Sequence, residues 1–127
     1  MAKDNTCEII RVALKEGRKN LLEHEAKSLL KVNGIIVPQS IIIHNTTDEV
    51  IIAASKIGYP VVLKVISSQI LHKTEAGGVR TGISNAHELE DSFNEMRSKI
   101  LHTYPKAEIR GFLLEKEAEK GIEVIIG

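Results

Sequence analysis

Apolar residues recur at helical spacing in four stretches of the chain, and β-branched runs fall between them. Ile9, Val12, Ala13 and Glu16 share one helical face, with Thr6 as N-cap and Gly17 as the stop, which predicts a helix over about residues 6–16. Leu22, Ala26, Leu29 and Leu30 line one side of a second helix, about 22–33, that ends at Gly34 with Pro38 soon after; its stripe needs a sheet to cover. Residues 35–44 hold a β-branched run that reads as a strand. Thr46, with Glu49 three residues on, then forms a capping box for a third helix. Val50, Ala53, Ala54 and Ile57 make its inner face and Gly58 ends it. Val61 to Ile66 is apolar at every position but one, as in a strand buried on both faces, and Pro60 stands at its entrance where a missing N–H costs little.

Periodicity is lost between Ser67 and Gly78, where His72, Lys73, Thr74, Glu75 and two glycines mark a surface loop. Val79 to Ile83 returns as a strand. Asn85 and Glu88 then cap a long helix whose Leu89, Phe93, Met96 and Ile100 repeat at helical spacing until Tyr104-Pro105. Two further strands are expected at about 109–117 and 122–126, around a charged turn containing Gly121. The last reads as the middle of a sheet, so more chain is expected to follow it. Strands and helices in this order predict a layered α/β or α+β domain.

The composition narrows the function classes. Seventeen Lys and Arg balance seventeen Asp and Glu, so no net field draws the protein to nucleic acid or to an anionic membrane, and an anionic ligand must be held by local groups. Tryptophan is absent and aromatics are scarce, which argues against base stacking on single strands. The apolar runs are too short to span a bilayer, and Cys7, as the single cysteine, makes no internal disulfide; the expectation is a cytoplasmic protein. There is no CxxC, no paired-histidine ligand spacing and no acidic cage, so no metal site is expected from these residues.

Three places carry candidate chemistry. Lys64 puts a cation inside the strand Val61 to Ile66, where it needs either a nucleotide phosphate, a core carboxylate or a solvent-facing position. His72 lies beside Lys73 and Glu75 and just before Gly77-Gly78; a neutral imidazole is a nucleophile towards phosphorus, and paired glycines let backbone amides approach a phosphate, while the plainer alternatives are a solvated histidine and a tight turn. No GxxxxGK[ST] or GxGxxG sequence is present. Glu115 and Glu123 flank the turn at Gly121, either as two acceptors at the mouth of one cleft or as ordinary members of a charged hairpin. The other four histidines, His24, His44, His87 and His102, have no such company.

Three segments together resemble the ATP-grasp domain of ADP-forming acetyl-CoA synthetases and related acyl-CoA synthetases. They are Leu22-Glu23-His24-Glu25-Ala26-Lys27 leading to Gly34-Ile35, then Gly58-Tyr59-Pro60-Val61-Val62-Leu63-Lys64-Val65, then Leu71-His72-Lys73-Thr74-Glu75-Ala76-Gly77-Gly78-Val79. The last is the most specific, and the likeness runs on to Gly121-Ile122-Glu123-Val124-Ile125-Ile126-Gly127. The resemblance implies an α+β fold, a small mixed sheet with packed helices forming the first nucleotide-binding lobe of an ATP-grasp domain, with residues 1–34 as a helical N-terminal segment and 35–127 as the lobe. It implies ATP/ADP as ligand, Lys64 on the phosphates, Glu115 facing adenine, Glu123 facing ribose and His72 as phosphoryl carrier in a reaction that turns acyl-CoA, phosphate and ADP into free acid, CoA and ATP. It also implies Mg2+ only in the complete enzyme, a second lobe, and a CoA-binding α subunit or fused domain, so phosphoryl transfer is expected of the assembly rather than of this chain alone. Two other readings remain open: a non-catalytic binding or assembly module, and a regulatory ATP-grasp segment fused to an acetyltransferase.

Overall fold

The apolar stripes of two helices meet one face of a four-stranded sheet in the computed structural model, which describes residues 2–44, 46–70, 73–74, 76–119, 121–122 and 124, with the side chains of residues 2–4 left aside. In chain order the elements are α1 (Ala2–Lys15), α2 (Glu23–Val32), β1 (Ser40–Ile43), α3 (Thr47–Ile57), β2 (Val61–Ile66), β3 (Val79–Ile83), α4 (Ala86–Thr103) and β4 (Gly111–Lys116). The strands lie in the order β1-β4-β2-β3. All three pairings are antiparallel, so the α+β class stands while the sheet is antiparallel where a mixed one was expected.

Alternation along β2 and β4 sorts their side chains onto two faces. Val61, Leu63 and Val65 of β2, with Phe112 and Leu114 of β4, join Ile43, Val50, Ala54, Leu89, Phe93, Met96 and Ile100 in the main core, beneath α3 and α4. Phe93 and Phe112 meet edge to face, with ring centroids 5.0 Å apart. The other face carries Val62, Lys64 and Ile66 of β2 and Leu113 and Glu115 of β4. Its apolar content is small: Leu22, just ahead of α2, closes over Ile66 and Leu113 as a separate cluster.

The capping signals at α3 and α4 are realised. Thr46 accepts from the Glu49 amide at 3.2 Å and Asn85 from the Glu88 amide at 2.9 Å. Three expectations are corrected. Thr6 does not cap α1, which begins at Ala2; its hydroxyl instead accepts from the Asn33 side-chain amide at 3.0 Å, tying α1 to the end of α2. β1 begins at Ser40, and Ile35 and Ile36 ahead of it are exposed. Of the apolar stripe expected on α2, Leu22 is laid on the sheet but the rest is not: no residue of the helix itself is buried and Leu30 is exposed, because the helix turns a charged edge towards the strands. The strand expected at 122–126 falls largely outside the described residues; Ile122 and Val124, which are described, lie in no strand and are exposed.

Candidate functional site

Lys64 stands at the middle of β2 on the face away from α3 and α4, opposite Leu113 of β4 in the antiparallel register. Glu115 is two residues further along β4 and therefore on that same face. α2 crosses above them. Its first-turn Glu23 accepts a hydrogen bond from the Lys64 ammonium at 2.6 Å, and Lys27, one turn later on the same side, lies 3.4 Å from Glu23 and in contact with Glu115. Lys73, from the loop after β2, reaches the second Glu23 oxygen at 3.6 Å, and Lys64 lies 3.6 Å from Glu115. Three ammoniums and two carboxylates thus share one half-buried patch, an excess of one positive charge.

Burial and neighbouring opposite charge act in opposite directions on Glu23 and Lys27. For Glu23 burial is the largest influence and pushes its carboxyl up, but the Lys64 hydrogen bond and the charges of Lys64, Lys27 and Lys73 together outweigh it and hold the group below the usual carboxylate range. Lys27 is pulled below the ordinary lysine range by burial first and by the neighbouring Lys64 charge second, with Glu23 opposing both. Such a patch is suited to exchanging its internal anions for an external one, because the desolvation of its cations has already been met by folding.

Clefts open on both sides of α2. One of about 390 Å3 is walled by Arg18, Leu22, Glu23, Ser67, Ser68 and Lys73; another of about 460 Å3 lies against His24, Lys27, Lys31, Gln39 and Ser40. The ion-pair patch lies between them and opens to both, through Glu23 and Lys73 on one side and Lys27 on the other.

The expected site residues separate into those brought together and those not described. Lys64 and Glu115 meet on one face. Gly77 and Gly78 form the return into β3: the Gly77 amide donates to the Thr74 carbonyl at 3.2 Å and the Gly78 amide to the Lys73 carbonyl at 2.6 Å, so in this conformation both amides close the turn. A Cβ on Gly78 would lie 2.5 Å from Val65 Cγ1, so its small size is needed for the loop to pack on β2 beside Lys64. His72 and Glu123 lie outside the described residues, as does Glu75. Among the described residues no three His, Cys, Asp or Glu side chains gather at metal-binding spacing. Glu23, Lys27 and Lys73 were not singled out from the sequence. The one signal was the i,i+4 pairing of Glu23 with Lys27, a pattern that usually marks a solvated helix face.

His24, beside Glu23 on α2, gives the patch a pH dependence. Its Nδ1 is enclosed with no hydrogen-bond partner among the described residues. Burial foremost, with the charges of Arg18, Arg110 and Lys73, holds its pKa below 6.5, and Glu25 only partly offsets this. A folded-state pKa below the unfolded one means that the unfolded chain takes up the proton first. The stabilisation is therefore complete above pH 6.5 and is withdrawn as pH falls through the window below it. Glu23 and Glu25, both held low, contribute stability above 4.5 that is lost as pH falls through their folded values. Thermal midpoints followed by circular dichroism between about pH 7.5 and 5 should begin to fall before the carboxylates titrate. His24→Gln should flatten that upper limb and leave the acidic limb in place.

Known proteins similar to this chain include CoA ligases. The 4-hydroxybutyrate–CoA ligase [ADP-forming] of Nitrosopumilus maritimus is 43% identical over 113 residues, 89% of this chain and 16% of the ligase. The β subunit of acetate–CoA ligase [ADP-forming] I from Pyrococcus furiosus is 39% identical over 94% of this chain and 51% of that subunit. The chain thus spans at most about half the length of these two relatives. Among solved structures, the dinucleotide-forming acetyl-coenzyme A synthetase 1 of Ca. Korarchaeum cryptofilum, in complex with coenzyme A, Ca-AMPCP and HgCl+, superposes with a TM-score of 0.85 at 34% identity, over 90% of this chain and 49% of that one. The same synthetase with coenzyme A and Mg-AMPPCP, its phosphohistidine segment pointing towards the nucleotide-binding site, gives a TM-score of 0.72 at 30% identity, over 92% of this chain and 47% of that one. The family model for the ATP-grasp domain matches residues 12–127, and the chain belongs to the ATP-grasp family.

Proposed function

We propose that this chain is the nucleotide-handling lobe of an ADP-forming acyl-CoA synthetase, working with a CoA-binding α subunit or fused domain in the cytoplasm. The observation that carries the reading is the Lys64 ammonium on the sheet face beneath α2, with Glu115 beside it, in a chain whose relatives are ADP-forming CoA ligases. In this reading Lys64 contacts the phosphates of ATP or ADP, Glu115 lies towards adenine and Glu123 towards ribose. Gly77 and Gly78 keep the loop packed close to the phosphates. Residues 35–127 make the lobe, and the helical segment 1–34 supplies Glu23 and Lys27 at its floor.

His72 takes the phosphoryl group in the loop between β2 and β3. In the direction of ATP synthesis, acyl-CoA and phosphate give an acyl phosphate and CoA; the phosphoryl group passes from the acyl oxygen to an imidazole nitrogen, releasing the free acid. ADP then attacks phosphorus, the P–N bond breaks, and ATP leaves. The chain's part in this is electrostatic, since fixed ammoniums balance the charge of the transferring group. Mg2+ belongs with the complete enzyme, and no step is assigned to a metal held by this chain.

The test is phosphohistidine formation. The protein is incubated with γ-labelled ATP and magnesium, with and without a CoA-binding partner subunit, and His72→Ala serves as control. Label stable to base, labile to acid and absent from the variant is the expected result. A folded wild-type protein that acquires no label under either condition would overturn the assignment of His72.

A further inference from the structure

A lysine offered to nucleotide phosphates is, in this structure, already bonded to a carboxylate. Glu23 is the carboxylate, among the described residues, that reaches all three ammoniums of the patch: Lys64 at 2.6 Å, Lys27 at 3.4 Å and Lys73 at 3.6 Å. The first two share one of its oxygens and Lys73 meets the other, much as the non-bridging oxygens of a polyphosphate meet several cations at once. Removing that carboxylate without replacing it would leave three ammoniums facing only Glu115, and like charges at this separation repel strongly in a half-buried setting. An anion in the position of Glu23 therefore stabilises the patch.

Resting on the reading of Lys64 as a phosphate contact, we propose that Glu23 is a resident counter-anion that an incoming polyphosphate displaces, and that it sets the affinity of the site for such ligands. Glu115 is less suited to that part. Its side chain is 10% exposed and fixed on a strand paired on both sides, whereas that of Glu23 is 26% exposed and stands on the first turn of a helix with no buried residue of its own. A rotamer change takes Glu23 to solvent in the 390 Å3 cleft, which it lines together with Lys73. Lys27 stays paired to Glu115 when Glu23 leaves, so the arriving anion meets Lys73 free, Lys64 held only by its 3.6 Å contact with Glu115, and Lys27 already oriented.

The exchange is tested by calorimetric titration of ADP and, separately, inorganic tripolyphosphate into the wild-type chain, Glu23→Gln and Glu23→Asp, each first checked for native circular dichroism. Glu23→Gln removes the competing charge and should tighten both ligands roughly three- to tenfold. Glu23→Asp keeps the charge but withdraws it from Lys64, and should tighten both by about twofold. An Asp variant that binds like the wild type beside a tighter Gln variant would reduce the effect to net charge and overturn the exchange, as would Gln and Asp variants that bind equally to or more weakly than the wild type. If tripolyphosphate shows the graded tightening while ADP binds none of the three proteins, the nucleotide reading falls and the exchange stands. If ADP binds the wild type but neither ligand tightens in the variants, the exchange falls and the nucleotide reading stands.

Discussion

Lys64→Met is expected to weaken ADP binding roughly ten- to hundredfold, the range corresponding to a lost charge-assisted contact of about 1.5–3 kcal/mol. The loss should be specific to the ligand. The Lys64 side chain is 20% exposed, so most of its stem is packed, and methionine reproduces that unbranched stem while deleting the ammonium. Glu23 is not left unpaired, since Lys27 and Lys73 remain within 3.6 Å of it. A folded Lys64→Met protein whose calorimetric affinity for ADP matches the wild type would remove Lys64 from the nucleotide site and with it the main support for the proposed function.

The expected selectivity contrasts with another half-buried lysine on the neighbouring strand. Lys116 of β4 donates to the carbonyls of Gly58 at 3.1 Å and Tyr59 at 2.9 Å, so its ammonium closes the end of α3 and has a backbone task. Lys64 has no such backbone partner among its described contacts, only carboxylates. Both lysines sit in strands of similar composition, and only the identity of their acceptors separates a structural cation from an exchangeable one. A hydrogen-bonded carbonyl cannot be replaced by a ligand without disrupting the fold, whereas a side-chain carboxylate on a half-buried helical turn can.

Much of the framework was legible because it rests on local rules. The boundaries of β2 and β3 follow from the apolar run Val61 to Ile66 and the short run Val79 to Ile83, and the inner faces of α3 and α4 from 3.6-residue spacing, with Thr46 and Asn85 as their caps. α1 was misplaced at its start because Thr6 reads locally as a cap, while its hydroxyl is in fact spent on Asn33, 27 residues away. The β-branched run before Ser40 has strand propensity but no partner strand beside it, and pairing, not propensity, decides. The site was half legible for the same reason. Lys64 stands out within an apolar strand, and Glu115 could be placed near it by guessing that the strands pair. The contribution of α2 is tertiary: nothing local distinguishes the Glu23–Lys27 pair from any solvated i,i+4 pair until the helix is laid across β2 and β4.

Gly111→Ala is expected to cost roughly 2–6 kcal/mol of stability, from an overpacking penalty of about 1–3 and a backbone penalty of similar size. Gly111 opens β4 with a φ of 145°, a region side-chain-bearing residues rarely enter, and a Cβ there would lie 2.6 Å from the Ile43 carbonyl oxygen. That neighbour is backbone, so it cannot swing aside as a side-chain tip would. Relief requires β1 and β4 to separate at the Ile43 to Phe112 end of their ladder, where Phe112 also meets Phe93. Gly82→Ala is the matched comparison: its φ of 68° is also positive, but nothing lies within 4 Å of the added carbon, so only the conformational penalty of about 1–2 kcal/mol should appear. Urea titration of the two variants should give clearly separated midpoints, with Gly111→Ala the lower. Equal midpoints would mean that the β1–β4 junction yields more easily than its backbone contact implies. In that case Glu115, at the other end of the same ladder opposite Ser40, would be held less firmly against Lys64 than the exchange of Glu23 for a phosphate requires.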